Sequence, residues 1–227
     1  MFKNLLHFWK GKDFLTQVIA DFGNMLNESE AMFKQVCDRI LNNKDQPGLE
    51  EQVYEIDKKV NLLEREIRKR IMSHLAVQPS VDVPACLLLM SVVKDAERLG
   101  DYAKNIFQLT RILEKPIDKV RFTELFDEMD EQILALFAAT KDAFINSDEA
   151  KAKLAWQYER KIVKPCDQIV EKLSKSSLSV NEAVCFTLIA RYFKRIAAHL
   201  ANIATSVILP ISDLDYYDED KRIEVKE

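Results

Sequence analysis

Apolar residues recur along most of this chain at alternating spacings of three and four, the pattern of a helix with one buried face. Short polar stretches containing Asn, Asp, Ser, Pro or Gly interrupt the pattern and predict turns. The pattern therefore predicts six long helices, which cover about Asp13–Asn42, Leu49–Val77, Asp82–Glu114, Arg121–Ile145, Glu149–Leu173 and Val180–Val207.

Capping residues indicate where two of these helices begin. Ser179 and Glu182 have the spacing of a capping box and predict the start of the sixth helix. Ser80 or Asp82 is expected to be the N-cap residue of the third helix. Pro165 lies inside the fifth helix, where it is expected to produce a kink.

The third and sixth helices are copies of one pattern. With an offset of 97 residues, the apolar positions of the third helix fall on apolar positions of the sixth, as Leu99 does on Ile196. Such a repeat predicts duplicated architecture. We therefore expect an all-α fold of two tandem three-helix bundles, a pseudo-twofold repeat, divided into an amphipathic segment 1–12, a first unit 13–115, a second unit 116–209 and a charged, flexible tail 210–227.

Composition and charge narrow the class of protein. A net charge of −4 gives no basic surface for nucleic acid, and no run of about 20 apolar residues would span a bilayer. The expected compartment is the cytoplasm, although segment 1–12 could rest on a membrane surface or pack on the body. Four widely spaced cysteines are expected to be buried and reduced: Cys37, Cys86, Cys166 and Cys185.

Two pairs of oxygen-bearing side chains are the main candidates for chemistry. Asp57 and Asn61 stand four apart on the second helix, and Glu97 and Asp101 stand four apart on the third, so each pair shares one helix face. Antiparallel helices could bring the pairs together as oxygen ligands for a hard cation such as magnesium, calcium, manganese or iron. The alternative is an acidic face neutralised by basic neighbours, for which the candidates are Lys58, Lys59, Arg65, Arg68 and Arg98.

Evidence for catalysis is weaker. The chain has no glycine-rich phosphate-binding loop, and its histidines are isolated from any nucleophile pattern: His7, His74 and His199. The residues therefore do not predict an enzyme.

Three segments resemble, in order and at similar separations, signatures of the PhoU family. Residues 57–64 resemble its DxxVNxLE segment and residues 97–106 its ERxGDxAxNI segment. Residues 77–82 resemble its QPxxxD connection, with two residues rather than three between Pro79 and Asp82. With the two-unit plan, the similarity covers about residues 13–208. It implies two similar three-helix bundles that carry multinuclear iron or zinc clusters on repeated E(D)xxxD(N) motifs.

The resemblance also implies which residues bind metal. In the first unit the expected ligands are Asp57, Asn61, Glu97 and Asp101, and in the second unit Glu159 corresponds to Asp57. The second unit otherwise departs from the family pattern, because the remaining three positions are occupied by Val163, Lys194 and Ala198. A complete second cluster is therefore not expected.

The function implied by the resemblance is negative regulation of phosphate uptake and phosphate signalling. The implied partners are the ATPase subunit of a phosphate transporter, or another phosphate transporter, and a sensor histidine kinase. Such a protein would reach the membrane through its partner, and the long amphipathic helices leave room for a homodimer. Two alternatives are a carboxylate-metal phosphohydrolase and a metal-free helical adaptor.

Overall fold

The computed structural model describes residues 13–42, 46–80 and 82–217, and segment 1–12 lies outside this part. The described residues contain no strand, which confirms the all-α prediction. None of the described helices is both long and apolar enough to cross a membrane. The α-helices of this part are α1 (Asp13–Asn42), α2 (Leu49–Val77), α3 (Val83–Gln108), α4 (Lys119–Phe126), α5 (Met129–Asn146), α6 (Glu149–Ser174) and α7 (Val180–Thr205).

The helices form two bundles that share one core. In the first unit α1 packs on α2 and α3, and in the second unit α5 packs on α6 and α7. Contacts of α3 with α7, and of α1 with α5, join the units. Buried apolar residues from all seven helices belong to a single cluster, so the two units are stabilised together.

Contacts between α3 and α7 follow the 97-residue offset of the sequence. Oδ1 of Asp95 on α3 is hydrogen-bonded to Nδ1 of His199 on α7, at 2.7 Å. The corresponding positions in the other unit are Tyr192 and Tyr102, whose ring centroids lie 5.9 Å apart. Exchanging the units therefore converts one contact into the other, as a pseudo-twofold axis between α3 and α7 requires.

The predicted fourth helix, Arg121–Ile145, is broken into α4 and α5. Asp127 and Glu128 between them have φ angles of 45° and 55°, in the left-handed region. Asp adopts this region more readily than most residues do. Phe126, the last residue of α4, is buried and packs its ring against Phe193 of α7 at 5.8 Å. This packing helps to hold the break in place.

The two predicted helix starts differ in how they are capped. The capping box is confirmed, because the Ser179 hydroxyl accepts from the Glu182 amide at 3.2 Å and Oε2 of Glu182 accepts from the Ser179 amide at 3.4 Å. Asp82 occupies the cap position of α3, but its side chain makes no capping hydrogen bond. Its carboxylate bonds instead to Nε2 of His74 at 3.2 Å, which ties the start of α3 to the end of α2.

Residues 210–217, the first part of the predicted flexible tail, pack on the body. Leu214 is buried, and the Tyr217 ring meets the Trp156 ring edge-on with centroids 5.0 Å apart. Residues 218–227 lie outside the described part. The flexibility of the tail stays a prediction.

The four cysteines are free and buried, as predicted. Burial raises the pKa of the Cys86 thiol to about 11 and that of Cys166 to about 12. Thiols with such pKa values are protonated at neutral pH and are poor nucleophiles and poor metal ligands.

Candidate functional site

The four expected ligands of the first unit lie along the contact between α2 and α3. Asp57 and Asn61 project from α2, Glu97 and Asp101 from α3, and all four are half-buried. They flank apolar stripe positions such as Val60, which is buried in the core. Packing of the two apolar stripes therefore brings the two polar pairs to the same edge of the bundle. We call this edge, formed by Asp57, Asn61, Glu97 and Asp101, the acidic edge.

Lys104, which the sequence analysis did not include, joins the two helices at this edge. Its Nζ donates to Oδ1 of Asp57 at 2.7 Å and to Oδ1 of Asp101 at 3.1 Å. Desolvation lowers the pKa of Lys104, but the hydrogen bonds and charges of Asp57 and Asp101 outweigh it, and the pKa is raised overall. The i, i+3 spacing of Asp101 and Lys104 is the signal that could have revealed this pair.

Arginines neutralise the outer side of the acidic edge. The Arg98 guanidinium donates to Oδ2 of Asp101 at 2.9 Å, and its Nε lies 3.6 Å from Oε2 of Glu97. On α2, Glu64 lies one turn beyond Asn61 and pairs with Arg68 at 2.9 Å. Two of the basic residues proposed as neutralising neighbours thus do pair with the acidic face. Exposed pairs of this kind contribute about 0 to 1 kcal/mol each.

Glu97 is less compensated by positive charge than Asp57 and Asp101, because Lys104 pairs with both aspartates while the ion pair of Glu97 with Arg98 is 3.6 Å long. Burial, and then the charge of Asp101, raise its pKa from 4.5 to about 7, with smaller raising effects from Glu64 and Asp57 and an opposing one from Arg98. Glu97 is therefore partly protonated at neutral pH, unlike an ordinary surface glutamate.

Replacing Glu97 by glutamine should stabilise the protein near neutral pH and above. Between pH 4.5 and about 7 the folded state binds more protons at Glu97 than the unfolded chain does, so wild-type stability falls as the pH rises through this interval. Glutamine does not titrate, so the stability of the variant does not fall in this way. We expect the free energy of unfolding of Glu97→Gln to exceed that of wild type by about 1 to 2 kcal/mol near pH 8. This is less than the whole pKa shift of Glu97 would give, because part of the side chain faces water.

Chemical denaturation of both proteins near pH 4 and near pH 8, in buffer with a chelator, measures this gain. The two proteins should be almost equally stable near pH 4, where Glu97 is protonated in both the folded and the unfolded state. An equal difference at both pH values would contradict the explanation.

The corresponding edge of the second unit is built differently. Glu159 on α6 is buried and lines a separate cleft of about 200 Å³ with Ala198, Asn202 and Tyr217. Lys194, at the position that corresponds to Glu97, donates to the two carboxylate oxygens of an α6 aspartate, Asp167, at 2.7 and 2.6 Å. Glu159 is thus not brought together with the other expected ligands.

The described residues do not present a metal-binding arrangement. Within residues 13–42, 46–80 and 82–217, no three histidine, cysteine, aspartate or glutamate side chains are grouped so that they could hold a metal ion. Asp57 and Asp101 face the Lys104 ammonium instead. As arranged, the donor set does not fit a metal cluster. The metal assignment stays a prediction for its five residues, Asp57, Asn61, Glu97, Asp101 and Glu159.

Comparison with protein families finds one that matches twice. The family described as the PhoU domain matches residues 22–110 and residues 126–207. The first match covers most of α1 to α3, and the second covers α5 to α7. Each match therefore falls within one of the two packed units.

Curated relatives and solved structures agree with the family match. A relative from Pseudomonas aeruginosa, named a phosphate-specific transport system accessory protein PhoU homolog, is 27% identical over 194 residues, 80% of this chain and 78% of the relative. A Thermotoga maritima protein, named homolog 1 of the same accessory protein, is 25% identical over 169 residues, 70% of this chain and 72% of the relative.

Two crystal structures share the fold. The structure of PhoU from Pseudomonas aeruginosa superposes with a TM-score of 0.73 at 24% identity, covering 88% of this chain and 97% of that one. The structure of the phosphate transport system regulatory protein PhoU from Streptococcus pneumoniae gives 0.74 at 20% identity, covering 86% and 93%. At these identities the superpositions show that the fold is shared.

Proposed function

Because this chain belongs to the PhoU family, we propose that it is a cytoplasmic, non-enzymatic regulator of inorganic phosphate transport and phosphate-responsive signalling. The observation that carries the proposal is the double family match, which spans both units. The names of the relatives support it, since they describe accessory proteins of phosphate-specific transport systems. An accessory protein acts by binding the transport machinery.

The proposed partners are the ATPase subunit of a phosphate transporter, or another phosphate transporter, and a sensor histidine kinase. In this proposal, binding lowers phosphate uptake when phosphate is plentiful.

Deletion of the gene tests the regulator proposal directly. In phosphate-rich medium, we expect the deletion strain to take up more labelled phosphate than the parent and to express a phosphate-responsive reporter that the parent represses. A plasmid copy of the gene should restore both properties. Unchanged uptake together with unchanged reporter expression would contradict the proposal.

Purified protein separates this proposal from its enzymatic alternative. We expect the protein to retain the ATPase subunit or the kinase domain in a pull-down and to leave a panel of phosphoesters unhydrolysed in the presence of iron, manganese or zinc. Metal-dependent hydrolysis, lost on replacing Asp57 by asparagine, would favour the carboxylate-metal phosphohydrolase.

A further inference from the structure

The acidic edge of the first unit contains its own cation. We propose that in this chain the Lys104 ammonium replaces the metal cation that the acidic family motif implies, so that the edge is neutralised by an internal ion pair. This charge balance is independent of which partner the protein regulates.

The geometry of Lys104 carries the proposal. Its Nζ lies 2.7 Å from Asp57 on α2 and 3.1 Å from Asp101 on α3, so one ammonium bridges two carboxylates of different helices. A divalent ion shared by the same two aspartates would lie close to this ammonium, and the two like charges would repel. The same oxygens can therefore serve the lysine or a metal ion, but not both at once.

The burial of the three side chains strengthens the ion pair. The exposed fractions are 18% for Lys104, 14% for Asp57 and 23% for Asp101. Such a pair is less screened by solvent than an exposed one. Removal of Lys104 leaves the half-buried Asp57 without its cation, whereas Asp101 keeps its pair with Arg98 at 2.9 Å. The loss at Asp57 costs more than breaking a surface pair.

The second unit shows the same kind of link at different positions. With the 97-residue offset, Asp101 corresponds to Ala198 and Lys104 to Ala201, so neither partner is repeated. Yet Lys194 reaches from α7 to Asp167 of α6, at 2.6 Å. In each unit, therefore, a lysine on the third helix of the bundle pairs with an aspartate on the second. Two separate sets of residues lead to the same arrangement.

The test combines metal analysis with substitution of Lys104 by glutamine. Wild-type protein, expressed in metal-replete medium and purified without chelator, should contain far less than one iron or zinc per chain. Its melting temperature should not rise when iron, zinc or manganese is added. In Lys104→Gln the melting temperature should fall by about 2 to 4 °C, and added divalent metal should recover part of the loss.

Lys59→Gln is the matched control. Lys59 also links two helices, through Glu28 at 2.6 Å, but its side chain is 56% exposed. We expect this variant to melt within about 1 °C of wild type and to show no response to metal. If Lys104→Gln fails to fold, the double variant Asp57→Asn, Lys104→Gln removes charge from both partners and should recover folded protein.

Three outcomes would overturn the proposal. The first is stoichiometric iron or zinc in wild-type protein that Asp101→Asn abolishes. The second is a Lys104→Gln variant that has the melting temperature of the wild type and whose melting temperature does not change when metal is added. The third is a double variant less stable than the single one. Each would show that Lys104 does not neutralise the acidic edge.

Discussion

Replacing Phe193 by alanine should lower the free energy of unfolding by about 3 to 5 kcal/mol, the largest loss we expect from a single side chain here. Phe193 on α7 is 1% exposed. Its ring meets Phe33 of α1 edge-on at 5.6 Å and Phe126 of α4 at 5.8 Å. Because these contacts come from both units, the cavity left by the ring cannot close by movement within one bundle.

Urea unfolding followed by circular dichroism measures this loss. Val180→Ala is a suitable control, since Val180 lies on the same helix and is 82% exposed, and it should change stability by less than about 0.5 kcal/mol. A loss below about 1 kcal/mol for Phe193→Ala would mean that the units do not share one core. Two separate unfolding transitions would mean the same.

Replacing His199 by alanine should cost about 2 to 4 kcal/mol, through a buried charge rather than a cavity. Asp95 is fully buried, and its Oδ1 is hydrogen-bonded to Nδ1 of His199 at 2.7 Å. Without the histidine, the carboxylate retains only the longer contact with Lys94 at 3.3 Å among those seen in the described part of the chain. A buried carboxylate that loses its main hydrogen-bond donor is strongly destabilising.

A double-mutant cycle with Asp95→Asn isolates the interaction. The double variant should be clearly more stable than the sum of the two single losses predicts, by about 1 kcal/mol or more. Lys175→Ala provides the comparison, because it breaks an exposed pair with Glu171 and should cost less than about 0.5 kcal/mol. Additive losses at Asp95 and His199 would contradict the assigned role of this pair.

Helix positions and the repeat could be predicted because their signals are local. Apolar spacing reports which face of a helix is buried, and the Ser179 capping box involves residues three apart. The break at Asp127 and Glu128 was missed for the same reason. Apolar residues continue on both sides of it, at Leu125 and Met129, so the apolar spacing does not reveal the break.

Asp82 and Lys104 show why partners across helices were harder to predict. Asp82 lies at a helix start, where a capping role is the local expectation. Its carboxylate is instead hydrogen-bonded to His74 on the preceding helix. Lys104 is one of many lysines on polar faces. Only the packing of α3 on α2 places its ammonium between two aspartates.

The sequence by itself determined the all-α class, the duplicated three-helix plan and the family to which the chain belongs, because these depend on periodicity and on ordered motifs. Only the tertiary structure decided how the acidic edge is neutralised and how the two units meet. Those outcomes depend on the relative position of helices far apart in the chain, where a shift of about 1.5 Å, the rise of one residue, separates a hydrogen bond from no contact.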